Sequence, residues 1–171
     1  MFYLKFGKTP QGHMLIATTE SDLVYAEIDA DYEALLGRFN QLYPDAVISN
    51  DGCPFIDKCW DAYQKFFTTP ELLEKIPVSP KGTEFQLLVW RAIMQMPLGT
   101  RQTYRALAEA IGQPTAARAV ALACSKNTIA LRIPCHRILR SDGALGGYRW
   151  GLALKQRLLN RERFGRPTEL R

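Results

Sequence analysis

Histidine is scarce in this chain: of 171 residues only His13 and His136 are histidine, which leaves no cluster from which a multi-histidine metal centre could be built. The four cysteines, at 53, 59, 124 and 135, form no CxxC pair and no finger spacing, so reduced thiols are expected, with no disulfide and no bound metal. No apolar run approaches the roughly 18 residues of a bilayer span, and the opening MFYLKFGKTP lacks the apolar core of a signal peptide. A cytoplasmic protein with no membrane partner is the expectation. Neither a GxGxxG run nor a P-loop occurs, so nothing cradles a nucleotide phosphate. Acidic side chains are what the second half has few of. Residues 1–80 carry 6 basic and 12 acidic side chains, whereas residues 81–171 carry 16 and 5, so the net charge of +5 conceals −6 and +11. Only the second half is suited to meet a polyanion.

The same division shows in periodicity. The stretch Pro77-Val78-Ser79-Pro80-Lys81-Gly82, with two prolines and a glycine, reads as a linker between a domain at 1–80 and a domain at 81–171. Ahead of it, Phe2–Phe6, Met14–Thr18 and Leu23–Ile28 are short, partly alternating runs separated by turn residues, and Asp31–Tyr43 and Phe55–Phe67 have the spacing of amphipathic helices. The first domain is therefore expected to be α+β, a small antiparallel sheet plus helices, with no catalytic constellation. The second is expected to be mainly helical. Thr83 and Gln86 fit a capping box ahead of the apolar positions Phe85, Val89, Ala92, Ile93 and Met96, with Trp90 in the core. A helix at about Tyr104–Ile111, the break Gly112-Gln113-Pro114 and a helix opened by Pro114 form a helix-turn-helix pattern. An αα-hairpin with no role in DNA binding has the same pattern, and the charge of +11 is what favours DNA.

Chemistry concentrates in Arg132-Ile133-Pro134-Cys135-His136-Arg137-Ile138. A thiol attacks only as thiolate, and an adjacent imidazole and flanking arginines are expected to bring Cys135 below the roughly 8.5 of a free cysteine. A buried, inert cysteine beside a histidine fits the same residues. In an extended segment neighbouring side chains point to opposite faces, so Cys135 and His136 are expected to communicate through a water and not directly. His136 also needs an orienting carboxylate. Of Glu84, Glu109, Asp142, Glu162 and Glu169, the best placed is Glu162, on a helix starting near Gly151.

Phe85-Gln86 with Val89-Trp90, YRALA at 104–108, PTAARAV at 114–120, Asn127, IPCHRI at 133–138 and GGYRWG at 146–151, followed by Lys155, Leu158-Leu159 and Glu162, together resemble the O6-alkylguanine-DNA alkyltransferase (methylated-DNA–protein-cysteine methyltransferase) family, most of all the carboxy-terminal half of its Ada-type members. The resemblance covers about residues 83–163. It implies single-turnover repair of double-stranded DNA containing alkylated guanine, with methyl transfer from O6-methylguanine to Cys135 and O4-methylthymine as a second candidate substrate. It implies no cofactor, and a monomer is expected. By the same resemblance His136 is a general base acting through water, Glu162 its orienting carboxylate and Asn127 a hinge, while Tyr104 donates a proton toward guanine N3. Arg118 fills the stack left by the extruded base. Small residues such as Ala116 and Ala119 let the helix approach the groove, and Thr103 and Arg137 complete the candidate DNA contacts. Pro134, Tyr148, Arg149 and Trp150 wall the substrate pocket, which the bulky last pair is expected to narrow. The chain departs from the family pattern at Ala121, at Thr128 and at Arg132. Three other readings stand beside it: a binding-only alkyltransferase-like protein, which the presence of Cys135 argues against, a helix-turn-helix regulator, which leaves the Cys-His-Glu set unused, and a thiol protease, which needs a direct Cys-His pair.

Overall fold

The computed structural model describes residues 1–163 as two compact units that are not consecutive in the chain: Met1–Lys81 with Thr128–Arg132, and Gly82–Asn127 with the residues from Ile133 onward. The first unit is built on a three-stranded antiparallel sheet, β1 (Tyr3–Thr9), β2 (Gly12–Thr18) and β3 (Leu23–Ile28), in the order β1-β2-β3. Thr9 pairs with Gly12 across the first hairpin. Helix α1 (Tyr32–Leu42) begins where the Asp31 side chain accepts the N–H groups of Glu33 and Ala34, and α2 (Pro54–Gln64) begins with proline at its first turn, where no backbone donor is needed. One cluster of buried residues joins Leu15, Ala17, Val24, Tyr25, Leu35 and Phe39, so the apolar face of α1 closes one face of the sheet. The short helix α3 (Glu71–Glu74) follows. Residues 128–132 belong to this unit because Ala26 of β3 exchanges backbone bonds with them, Ala26 N–H to Thr128 O at 2.9 Å and Ala130 N–H to Ala26 O at 2.8 Å. The open edge of β3 is thereby covered. Arg132 donates from Nε to the Ile76 carbonyl at 2.9 Å, which settles the direction of that unexpected arginine.

The second unit is mainly helical. Helix α4 (Glu84–Met94) opens with the capping box of Thr83 and Gln86 in full, and buried Trp90 donates from Nε1 to the Ala123 carbonyl at 3.0 Å. A two-residue strand β4 (Gln102–Thr103) pairs in parallel with β5 (Ile138–Leu139). Helices α5 (Tyr104–Ala110) and α6 (Ala117–Ser125) form the helix-turn-helix, with Gly112 at φ 78 ending the first. Helix α6 starts at Ala117, not at Pro114, because residues 113–116 close a turn of their own, Ala116 N–H to Gln113 O at 2.9 Å. Helix α7 (Leu152–Arg163) completes the described chain. An α+β first part and a helical second part with a helix-turn-helix are thus what the chain forms. No helix among the described residues is long and apolar enough to cross a membrane.

Candidate active site

Pro134, at φ −82 and ψ 60, turns the chain into a single 3-10 turn, Cys135–Arg137, closed by Arg137 N–H to Pro134 O at 3.0 Å. The segment is not extended, yet successive side chains of a 3-10 turn still diverge by about a third of a turn. Cys135 and His136 make no hydrogen bond to each other. Cys135 is 3% exposed and lines a cavity of about 1100 Å³ with Tyr104, Arg118, Ala121, Tyr148 and Arg149. Buried Asn127 donates from Nδ2 both to the Ile133 carbonyl at 2.9 Å and to Cys135 Sγ at 3.4 Å, which fixes the thiol relative to the end of α6.

Burial pushes the Cys135 thiol well above its ordinary pKa, and the neighbouring Cys124 adds to the rise, against smaller opposing effects of the Asn127 bond and the Lys155 charge. The expectation of a thiol lowered by the adjacent imidazole and the flanking arginines is therefore corrected: desolvation dominates, the opposing effects come from Asn127 and Lys155, and Cys135 rests as a neutral thiol. Its proton has to leave as the nucleophile attacks. His136 is fully buried, and its Nε2 lies 2.7 Å from Glu162 Oε1. A carboxylate acceptor places the ring proton on Nε2 and leaves Nδ1 a lone pair, and Nδ1 is buried with no hydrogen-bond partner. Burial lowers the pKa of His136 against the pull of Glu162, and the charges of Arg137 and Lys155 lower it further. For Glu162 burial works upward, but the bonds from His136 and Arg137 outweigh it and hold the carboxyl below its usual value. Glu169 lies outside the described residues.

The loop after β5 is held by one buried cation. Lys155 donates from Nζ to the carbonyls of Ile138 at 2.7 Å, Leu145 at 2.5 Å and Gly147 at 3.1 Å, and sits 5.9 Å from the centre of the Tyr104 ring. Burial brings its pKa down to about 8. Gly146, at φ 70, lies so close to the Tyr104 ring and hydroxyl that a Cβ there would meet them at 3.1 Å. Burial pushes Tyr104 up to about 12, so its hydroxyl stays a proton donor. The Tyr148 hydroxyl is buried and unpartnered, and burial, then nearby Cys135 and Glu162, raise its pKa.

The remaining site residues divide. Arg118 and Ala119 are exposed at the start of α6 and Ala116 is half-buried beside them. The Thr103 hydroxyl accepts Ala106 N–H at 3.0 Å and so caps α5. Three residues stand elsewhere than expected. Pro134 is buried and shapes the turn without walling the cavity. Trp150 packs edge-on against Tyr148 at 5.4 Å and does not line the cavity, whereas Arg149 reaches across it to the Ser125 carbonyl at 3.0 Å. Arg137, expected at DNA, is 4% exposed and turned onto Glu162. Cys124, Ser125 and Arg140 also line the cavity and were not singled out by the sequence, which holds no local pattern that marks them. Lys155 stood among the residues that carry the resemblance but was given no role; it falls between Leu154 and Leu158-Leu159 on the buried face of α7. Among the described residues no group of three or more histidine, cysteine or acidic side chains is placed to hold a metal.

Comparison with known proteins assigns this arrangement. Over 95% of the chain it is 35% identical to 98% of the methylated-DNA–protein-cysteine methyltransferase of Methanosarcina acetivorans. The chain belongs to the methylated-DNA–protein-cysteine methyltransferase family. The model of the 6-O-methylguanine DNA methyltransferase DNA-binding domain matches residues 84–164, the stretch that contains the helix-turn-helix and Cys135. The regulatory protein Ada of Salmonella typhimurium is 39% identical over 88% of the chain, but the chain spans only 42% of Ada's length. Among solved members, the O6-methylguanine methyltransferase of Mycobacterium tuberculosis superposes with a TM-score of 0.77 at 28% identity, covering 99% of this chain and 98% of that one. A structure of the mycobacterial protein in complex with DNA superposes at 0.76, also at 28% identity, covering 98% of this chain and 97% of that one.

Proposed function

We propose that the protein repairs DNA by moving the methyl group of O6-methylguanine onto its own Cys135. The observation that carries this reading is the pairing of a buried neutral thiol with a histidine whose Nε2 is tied to Glu162 and whose buried Nδ1 has no partner. In the step, the Cys135 thiol proton passes through a water to His136 Nδ1 while Sγ attacks the methyl carbon. The S–C bond forms as the C–O6 bond breaks, and the departing guanine takes a proton on N3 from the Tyr104 hydroxyl; solvent then carries the thiol proton from the His136 imidazolium back to the Tyr104 phenolate and moves the base proton from N3 to N1. A thioether and unmodified guanine result, so atoms balance without a cofactor. Nothing in the site would cleave a thioether, and one chain serves one lesion.

The methyl lies inside the duplex, so the base must leave the stack to reach Cys135. Exposed Arg118 and the small residues beside it on α6 suit the filling of that gap, and the charge of +11 on residues 81–171 suits binding that ignores sequence. The protein is read as a monomer working on chromosomal DNA in the cytoplasm, and O4-methylthymine, with the same reacting carbon, is the second substrate to test. The deciding experiment incubates the protein with duplex DNA bearing labelled O6-methylguanine and maps the label by peptide mass. One label per chain on Cys135, absent in Cys135→Ala, is expected; repeated turnover, or binding without transfer, overturns the reading.

A further inference from the structure

Arg137 is the residue whose position departs most from its sequence. A cation beside a reactive cysteine on a basic domain suggests a phosphate contact, but this guanidinium is spent inside the protein. Its Nε donates to Glu162 Oε1 at 3.0 Å and Oε2 at 3.2 Å, its Nη2 lies 3.0 Å from Oε1, and its Nη1 donates to the Met96 carbonyl at 3.0 Å. Both carboxylate oxygens are therefore engaged by one planar fork, and Oε1 is shared with His136 Nε2 at 2.7 Å. The fork comes from the residue next to His136 on the same turn, so the carboxylate of α7 and the imidazole are held by adjacent positions of the chain.

Two consequences follow from ordinary electrostatics. The fork leaves the Glu162 side chain one orientation, with Oε1 toward the ring. It also neutralises the carboxylate. A buried anion alone at 2.7 Å would draw a second proton onto His136 and make an ion pair. That imidazolium carries hydrogen on Nδ1 and accepts nothing from a thiol. The charged groups that act on His136 are Glu162 and Lys155 from α7 and Arg137 from its own turn, with the Cys135 thiol beside it. The charged residues of α4, Glu84 and Arg91, are exposed, as is Arg101 in the segment after it, which donates from Nη2 to the Leu159 carbonyl of α7 at 3.3 Å, while the Met96 carbonyl of that segment is bound to Arg137. With Arg137 present, the balance of charge around the ring is positive.

We propose that Arg137 is a positioning residue of the transfer reaction, holding Glu162 as an oriented but neutralised carboxylate so that His136 stays neutral with Nδ1 free to accept the thiol proton. This deepens the proposed function and rests on Cys135 being the acceptor. The test compares single-turnover transfer at pH 5.5 and pH 7.5 in the parent, in Arg137→Met and in Arg137→Lys, with the parent's own ratio correcting for Lys155, whose pKa of about 8 lets it begin to lose its proton at the upper value. In Arg137→Met the ratio of the rate at pH 7.5 to that at pH 5.5 is expected to rise about tenfold over the parent's, because the acid form of His136 is no longer opposed. In Arg137→Lys, which keeps the charge and loses the fork, the ratio is expected to stay within about threefold of the parent's while the rate falls at both pH values. Equal losses at both pH values in Arg137→Met, the signature of a merely structural arginine, overturn the proposal. Should that variant not fold, nitrogen-15 NMR of His136 in the parent and in Arg137→Gln decides: a ring neutral and protonated on Nε2 at pH 7 in the parent whose pKa rises in Arg137→Gln supports the proposal, and an imidazolium in the parent or a pKa unmoved by the substitution sinks it. A parent that transfers no methyl at all defeats the proposed function instead, and the NMR result still decides the state of the histidine.

Discussion

Glu27 in the first unit and Glu162 in the second are both sequestered carboxylates gripped by an arginine, yet they are put to different uses. Glu27 is 1% exposed, takes Arg38 Nε at 2.7 Å and is approached by the Tyr25 hydroxyl at 3.3 Å, which also donates to the Leu35 carbonyl at 2.9 Å. Burial, then the Glu27 charge, push the Tyr25 phenol upward, so its proton stays in place through the whole working range and the cluster serves as a fixed tie between β3 and α1. In the second unit the group on the carboxylate is an imidazole, a side chain able to take up a proton, and the preceding residue carries a thiol. Carboxylate and arginine are common to both units. What makes one of them reactive is a third group that can take up a proton where a nucleophile must lose one.

The comparison breaks most sharply at the cysteines. Cys135→Ala is expected to abolish methyl transfer completely, whereas Cys59→Ala, removing a thiol that burial pushes up to about 12, is expected to leave the labelled-DNA assay within about twofold of the parent. At the carboxylates, Glu162→Gln should slow single-turnover transfer about a hundredfold by releasing the base. Glu27→Gln should leave transfer alone and lower stability by about 2 kcal/mol in urea titrations, since Arg38 loses its buried partner. If both substitutions slow transfer equally, the distinction between the units is wrong.

The smallest expected effect is on stability against pH. Both His136 and Glu162 have lowered pKa values in the folded protein, so the unfolded chain binds more protons than the folded one below the ordinary histidine value of about 6.5. Their contribution is complete above that pH and is lost as pH falls, first through the histidine and then through the carboxylate. Urea midpoints should therefore drop between pH 7.5 and pH 5, and drop at least as much in Glu162→Gln, which removes the group that holds the histidine pKa up; a midpoint that rises on acidification contradicts the buried neutral histidine.

Much of the architecture was legible because it is written locally. Gly12 in the first hairpin, the Thr83–Gln86 box, Gly112 between α5 and α6 and the apolar spacing of α4 each act within a few residues of themselves. Cys135, His136 and Glu162 were legible as chemistry for the same reason, since few side chains can play those parts. The 3-10 turn at Cys135, the late start of α6 and the two-residue pair β4-β5 were not, because none carries a period long enough to read. Lys155 was legible as part of the motif but its work was not, because its three carbonyl partners come together only in the folded chain.

The sequence alone determined which groups are present and which elements carry them: a thiol, an imidazole, a carboxylate, a basic helix-turn-helix and an acidic sheet-bearing half. Tertiary structure alone decided their protonation and pairing. Burial leaves Cys135 a neutral thiol where its neighbours promised a thiolate. The meeting of α7 with the turn at Cys135 takes Arg137 from the DNA surface to Glu162. Both outcomes depend on desolvation and on distances of about 3 Å between residues far apart in the chain, which composition and spacing do not contain.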